Sequence, residues 1–419
     1  MNKTESRRAF LTKSIAGLGG MTLISAAMGN TNQAIYQNRM PFYNESKLNS
    51  RWNKRGIVIS PDQPWEQGYI QNFNSPAYPL KSGAWRLWYC VNPPAPFHPN
   101  IAVAEGIPGE DMQKYPADLT SGDPIDSKLS IGNLPDGWFP VQPVYMRLKN
   151  GRHRLYFWAH SSDQRIVRYL IADSDDGKRY RVIDPYRPAL YHFNDRAVDF
   201  TGTTPSGMVL KGKSDSIKQR FPRPAYEPLA NPELICNDAT TVYQLEDGSF
   251  EMYTIALMSL EKGDYRWAPN DNLGGYIRVV DRLVSPDGLH WGGRKTVLKP
   301  DQLMDPSDLQ FYYLNVTHTD QGRIGMLGYY RVKDQTMDIE RCYSADGVNW
   351  ERPFRNIPWI ERGWPPSDHD TLGIYPGTSL VYNDGRWWLF YTGCNYTHNR
   401  KVATGDPRSL IMLADIATI

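Results

Sequence analysis

The stretch NDATTVYQLEDGSFEMYTIA (237–256) decides how the rest of the chain is read. Its first part, ATTVYQL, is rich in the β-branched and aromatic residues that suit a pleated, half-buried strand. Glu246-Asp247-Gly248 interrupts the pattern, and Gly248 can adopt the positive φ that a tight hairpin needs. FEMYTIA then resumes the alternation, so the segment predicts an antiparallel hairpin. A third strand is expected over Tyr276–Val284, ending in SPDGLHW (285–291). In that phrase the Asp side chain bonds nearby backbone, the Gly takes the unusual dihedral and the aromatic covers the hairpin. That role is structural.

The same unit recurs along the chain. Copies read NSPAYPLKSGAWRLWYC (74–90), VQPVYMRLKNGRHRLYFWAH (141–160), FYYLNVTHTDQGRIGMLGYY (311–330) and YPGTSLVYNDGRWWLFYTG (375–393). Two further third strands end in SDDGKRY (174–180) and SADGVNW (344–350). Repeats of three or four strands at this spacing imply an all-β chain, a five-bladed β-propeller with long loop insertions at the cavity mouth. The first strands of such a fold run side by side around an axis. Their heads meet at one end of the central cavity, where polar residues far apart in sequence come together. The long polar stretches 91–138 and 185–232 are expected to wall that mouth as insertions.

Composition agrees. Tyr (26), Trp (13) and Phe (13) are abundant, and Gly (34) and Pro (32) punctuate the chain, which favours short strands over helical bundles. A net charge of +2 without a basic block argues against nucleic acid as a partner. Cys90, Cys236, Cys342 and Cys394 lack metal-ligand spacing, though one or two disulfides are compatible with an oxidising compartment. No HExxH, phosphate-binding loop, dinucleotide fingerprint or GxSxG elbow occurs, so no cofactor is implied. A structural calcium on the axis would leave little trace in sequence.

The N-terminus reads as an address. Arg7 and Arg8 in SRRAFLTK (6–13) precede a modest apolar run over Ile15–Ala27, too short and Gly-rich to span a membrane comfortably. The segment resembles a twin-arginine export signal. Residues 1–33 are expected to be that signal, 34–50 a linker and 51–419 a single domain, periplasmic or secreted.

With Pro64-Trp65-Glu66, CNDATTVY (236–243), DPSDLQFYYLN (305–315) and DHDTLGIYPG (368–377) in view, the chain resembles the five-bladed propeller glycosidases of families 32, 43, 62, 68 and 117, most nearly family 32. The resemblance implies a glycoside hydrolase acting on oligosaccharide from plant or algal polysaccharide, with the chain end as its target. It departs at the first blade, where QNFNSP (71–76) offers Asn72 and Asn74 in place of a nucleophilic Asp. Glu233 in PELIC (232–236) is similar to the general-acid motif of family 32 in a shifted register. Glycoside cleavage calls for one protonated carboxyl and one ionised carboxylate. The candidates at blade heads are Asp238, Glu66, Asp308 and Asp370, with Asp238 foremost because an idle acid after the apolar Leu-Ile-Cys run would be costly to bury. Glu66, beside Trp65, is a candidate general acid. Asn72, Asn74, Tyr312, Asn315, Tyr375 and His398 are candidates to orient sugar hydroxyls, and Arg187, His192 and Arg223 to bind an anionic substituent. The alternatives are a carbohydrate-binding propeller without catalysis and a glycosyl-transferring enzyme.

Overall fold

The computed structural model describes residues 51–67, 70–71, 76–93, 98–120, 128–195, 201–203, 209–211, 235–260, 263–266, 271 and 274–419. The expected signal and linker, Asn72, Asn74, Arg223 and Glu233 lie outside them. Among the described residues the only helix is the single 3-10 turn Lys81–Gly83.

The strands form successive antiparallel groups. β1 (Asn53–Ile59) pairs with the last strand of the chain. The first group is β2 (Ala77–Pro79), β3 (Trp85–Val91), β4 (Asn100–Gly106) and β5 (Met112–Pro116), in that order. The second is built on β6 (Ser130–Gly132), β7 (Trp138–Arg147), β8 (His153–Ser161), β9 (Val167–Ser174) and β10 (Arg179–Val182). β11 (Leu190–His192) adds to β9, β12 (Thr201–Thr203) pairs with β13 (Val209–Lys211), and β14 (Ile235–Cys236) runs parallel to β11. Then come β15 (Thr241–Gln244), β16 (Phe250–Ser259), β17 (Tyr276–Ser285) and β18 (Gly292–Leu298), followed by β19 (Leu309–Thr319), β20 (Gly322–Arg331), β21 (Thr336–Ser344) and β22 (Pro358–Ile360). The last group comprises β23 (Gly373–Pro376), β24 (Val381–Asn383), β25 (Arg386–Cys394) and β26 (Ser409–Ile416), onto which β1 closes. The predicted hairpin at 237–256 forms in the expected register, Val242 facing Met252. The stretch 91–138 is not a pure insertion: β4 and β5 within it complete the first group, hidden in the sequence by their shortness.

First strands of neighbouring groups lie side by side and bond across the gaps. The Thr241 hydroxyl donates to the Leu314 carbonyl (3.0 Å), the Tyr243 hydroxyl to that of Thr378 (2.6 Å), and the Asn315 amide to Pro376 (2.9 Å) and Gly377 (2.7 Å). The third strand of each group runs parallel to its first. The three Ser-x-Asp-Gly turns therefore sit at the end opposite the first-strand heads. In each, the Ser hydroxyl and the Asp carboxylate collect backbone N–H donors, as at Gly288 to Ser285 (2.8 Å) and Leu289 to Asp287 (2.8 Å). These turns also tie one group to the next. The Tyr156 hydroxyl on β8 donates to the Gly288 carbonyl (2.8 Å), and Tyr253 on β16 donates to Gly347 (3.3 Å). The four cysteines are buried and free.

Candidate functional site

The heads of the first strands bring a polar cluster together. On β7 the register slips between Val141 and Val144, and Gln142 within the slip takes φ 51°. Its side chain lies near enough to Asp238 to act on that carboxyl. At the head of the third group, the Asn237 N–H extends the ladder to the Ile255 carbonyl (2.7 Å), and the Asn237 side-chain amide donates to Asp238 Oδ1 (3.1 Å). Ala239, next in chain, has φ 52°. Left-handed backbone at Gln and Ala is sparsely populated and costs on the order of 1–3 kcal/mol each, and such strain gathers at functional sites.

A second slip, between Phe311 and Leu314 on β19, turns Tyr312 toward the same place. Its ring meets His398 edge-on at 4.7 Å and Tyr330 at 5.6 Å. Tyr375 on β23 shares a hydrogen bond with His398 Nδ1 (3.1 Å). Behind these rings, Arg278 pairs with Asp271 at 2.6 Å, both side chains sealed from solvent. The Tyr330 hydroxyl donates to Asp271 (3.0 Å), Arg278 also donates to Gln310 (2.6 Å), and its guanidinium lies 5.3 Å from the Tyr312 ring centre.

Asp238 is surrounded by protein yet keeps some accessible surface. Burial pushes its carboxyl above the ordinary value, and the Arg278 charge and the Gln142 amide offset only part of that. Burial also works to raise Asp271, but there the Arg278 guanidinium and the Tyr330 hydroxyl win, so its carboxyl lies below the usual value. Burial and the Arg278 charge push His398 down to about 3, so its imidazole is neutral at physiological pH. Burial holds the Tyr312 and Tyr375 phenols far above their ordinary value. The cluster thus sets one carboxyl of raised pKa among neutral donors and acceptors, beside a buried ion pair.

The structure unites Asp238, Tyr312, Tyr375 and His398. It does not bring Glu66, Asp308, Asp370 or Asn315 to them, and none of the three carboxylates is among the groups acting on Asp238. Glu66 is buried, accepting from Tyr89 (2.8 Å) and paired with Lys114 (2.7 Å). Asp370 repeats the arrangement, accepting from Tyr391 (3.0 Å) and paired with Lys54 (2.6 Å). In both, a tyrosine from the second strand and a lysine from the fourth clasp one carboxylate, a brace across the sheet. Trp65 packs toward Tyr89 instead of lining an acid pocket. Asp308 is gripped by Arg331 (2.6 Å), and Asn315 braces β19 against β23.

Of the expected anion-binding residues, Arg187 is exposed and His192 is buried, where burial and neighbouring His160 push it to about 3. Sequence reading missed Gln142, Asn237, Asp271, Arg278 and Tyr330. The available signal was in YIRVVDRLV (276–284), where Arg278 interrupts an apolar run. Among the described residues no group of three or more His, Cys, Asp or Glu is placed to hold a metal ion.

No protein-family profile matches the chain, and no curated protein matches it in sequence. In structure it is similar to an N-acetylgalactosamine deacetylase from F. plautii in complex with blood group B trisaccharide, with TM-score 0.52 and 13% identity over 87% of this chain and 95% of that one. It is also similar to a glycoside hydrolase, with TM-score 0.50 and 14% identity over 91% of this chain and 96% of that one. The chain therefore shares an almost wholly β fold with these proteins. At these identities the likeness is one of fold.

Proposed function

We propose that this chain is an exported, five-bladed propeller glycosidase that removes terminal sugars from oligosaccharides, with Asp238 as its general acid. One observation carries the reading: Asp238 is the partly accessible carboxyl at the convergence of the first strands, and burial raises its pKa. A general acid must hold its proton near working pH, and dehydration is the physical means of arranging that. Tyr312, Tyr375 and His398, neutral and close together, are suited to hydrogen-bond sugar hydroxyls, and the Tyr312 ring offers a face to C–H groups. The neighbours' printed descriptions, a glycoside hydrolase and a blood group trisaccharide complex among them, support a sugar substrate.

Hydrolysis also needs a carboxylate to activate water or attack carbon. Asp271 is sealed behind the rings and serves to fix Arg278. The candidate for the second carboxylate is Glu233, two residues ahead of β14 in sequence. The test is incubation with a panel of oligosaccharides, following released monosaccharide, for wild type, Asp238→Asn and Glu233→Gln. Release by wild type that falls by orders of magnitude in both variants, with oligosaccharide binding retained, supports the assignment. Binding without release by wild type would replace the enzyme with a carbohydrate-binding propeller.

A further inference from the structure

A cavity of 440 Å³ lies between the mouth ends of the first and second groups, with Val141 in its wall. We propose that it is a second sugar subsite built for an uncharged sugar residue, which adds a substrate class to the hydrolase reading on which it rests. Its volume falls in the range of small-ligand sites, about 300–1,000 Å³. One part of its lining is a flat aromatic platform, the His98 imidazole stacked on the Phe139 ring at 4.1 Å with an interplanar angle of 8°. Such a surface offers π-density to the C–H face of a pyranose. The polar lining is amide, hydroxyl and imidazole: Gln71, Asn92, Gln164 and His160.

Charge decides the ligand class. Among the described residues that line the cavity there is no Asp, Glu, Lys or Arg. Burial pushes His160 down to about 4, so it too is neutral. Against these described residues a uronate or sulfate would lose its hydration with no cation among them to compensate, whereas hydroxyls would find donors and acceptors. A second depression of equal volume, lined by Asp184, Arg187 and His290 beside Trp291, carries charged side chains but borders none of the residues around Asp238.

The cavity adjoins residues that act on the acid. Val141 in its wall precedes Gln142, whose side chain acts on the Asp238 carboxyl. His160 lies within electrostatic reach of His192. His192 Nδ1 accepts from the Asn194 N–H (3.1 Å), and Asn237, which acts on His192, donates to Asp238 Oδ1 (3.1 Å). A sugar residue in the cavity would thus adjoin one poised over the acid.

The experiment measures binding separately from turnover. In the Asp238→Asn background, calorimetry is run with gluco-, xylo- and manno-tetrasaccharides and with oligogalacturonate, then repeated after adding Phe139→Ala or Phe139→Tyr. The expected result is that a neutral tetrasaccharide binds, oligogalacturonate does not, and Phe139→Ala weakens binding about tenfold or more while Phe139→Tyr restores it. Tighter binding of oligogalacturonate, or neutral affinity unchanged by Phe139→Ala, overturns the subsite. The two readings fail separately. A wild type that hydrolyses nothing yet loses neutral-sugar binding on Phe139→Ala keeps the subsite and loses the enzyme. Asp238-dependent hydrolysis with affinity indifferent to Phe139 does the reverse.

Discussion

Replacing Arg278 should separate its two duties. Its side chain and that of Asp271 are both sealed from solvent and bridged at 2.6 Å. Arg278→Gln alone leaves a buried carboxylate without its counter-charge, which costs about 3–5 kcal/mol when one partner of such a pair is removed. Asp271→Asn together with Arg278→Gln exchanges the pair for neutral amides of similar shape, and most of that loss should be recovered. The second duty concerns Asp238, whose pKa Arg278 holds down against burial. Without the guanidinium, that pKa rises further. A general acid works only while protonated, so the alkaline limb of kcat/KM against pH should move to higher pH. The assay is the pH profile of the double variant beside wild type, with urea unfolding of both single variants as the stability measure. An alkaline limb that stays put or moves to lower pH would refute the electrostatic account of Asp238. A double variant no more stable than Arg278→Gln would refute the buried-pair argument.

Glu251 offers a test at acid pH. It pairs with His318 (2.7 Å), Arg282 (2.8 Å) and Arg323 (2.8 Å), and although burial works to raise it, those partners bring its pKa to about 2 from 4.5. The folded pKa is depressed, so the stabilisation is present above pH 4.5 and lost as pH falls toward 2, about 3 kcal/mol in all. Urea unfolding of wild type should weaken over that interval more than that of Glu251→Gln, and equal slopes would contradict it. Gly288 has φ 74°, and a Cβ there would stand 2.6 Å from the Tyr156 hydroxyl. Gly288→Ala should therefore cost about 2–4 kcal/mol and lower Tm, with a near-neutral result counting against the tie between groups. Glu66→Gln removes one of the two carboxylates paired with Lys114, Asp62 being the other, and should destabilise by about 1–3 kcal/mol while kcat holds. A selective loss of kcat would return Glu66 to the site.

The architecture was legible because its signals are local. Hairpins with Gly248 or Gly385 in the turn, and the Ser-x-Asp-Gly phrases, are complete within about twenty residues, and the structure forms them where the residues place them. Asp238 stands out in sequence as a charge directly after an apolar run. The partners of Glu66 and Asp370 do not, because they are distant in sequence: Lys114 is 48 residues from Glu66, and Lys54 is 316 from Asp370. A carboxylate at a strand head looks the same in sequence whether it faces substrate or a lysine brought in from the sheet edge. Arg278 and Asp271 were obscured in the opposite way, since their importance lies in each other and in rings from β19 and β20.

The central claim is that Asp238 gives a proton to the departing oxygen. A glycoside whose leaving group needs no proton, such as a dinitrophenyl glycoside, isolates that step. Measured with Asp238→Asn, hydrolysis of an unactivated oligosaccharide should fall by about 10²–10⁴ while cleavage of the dinitrophenyl glycoside is largely spared. Equal losses on both substrates, or none on either, would contradict it.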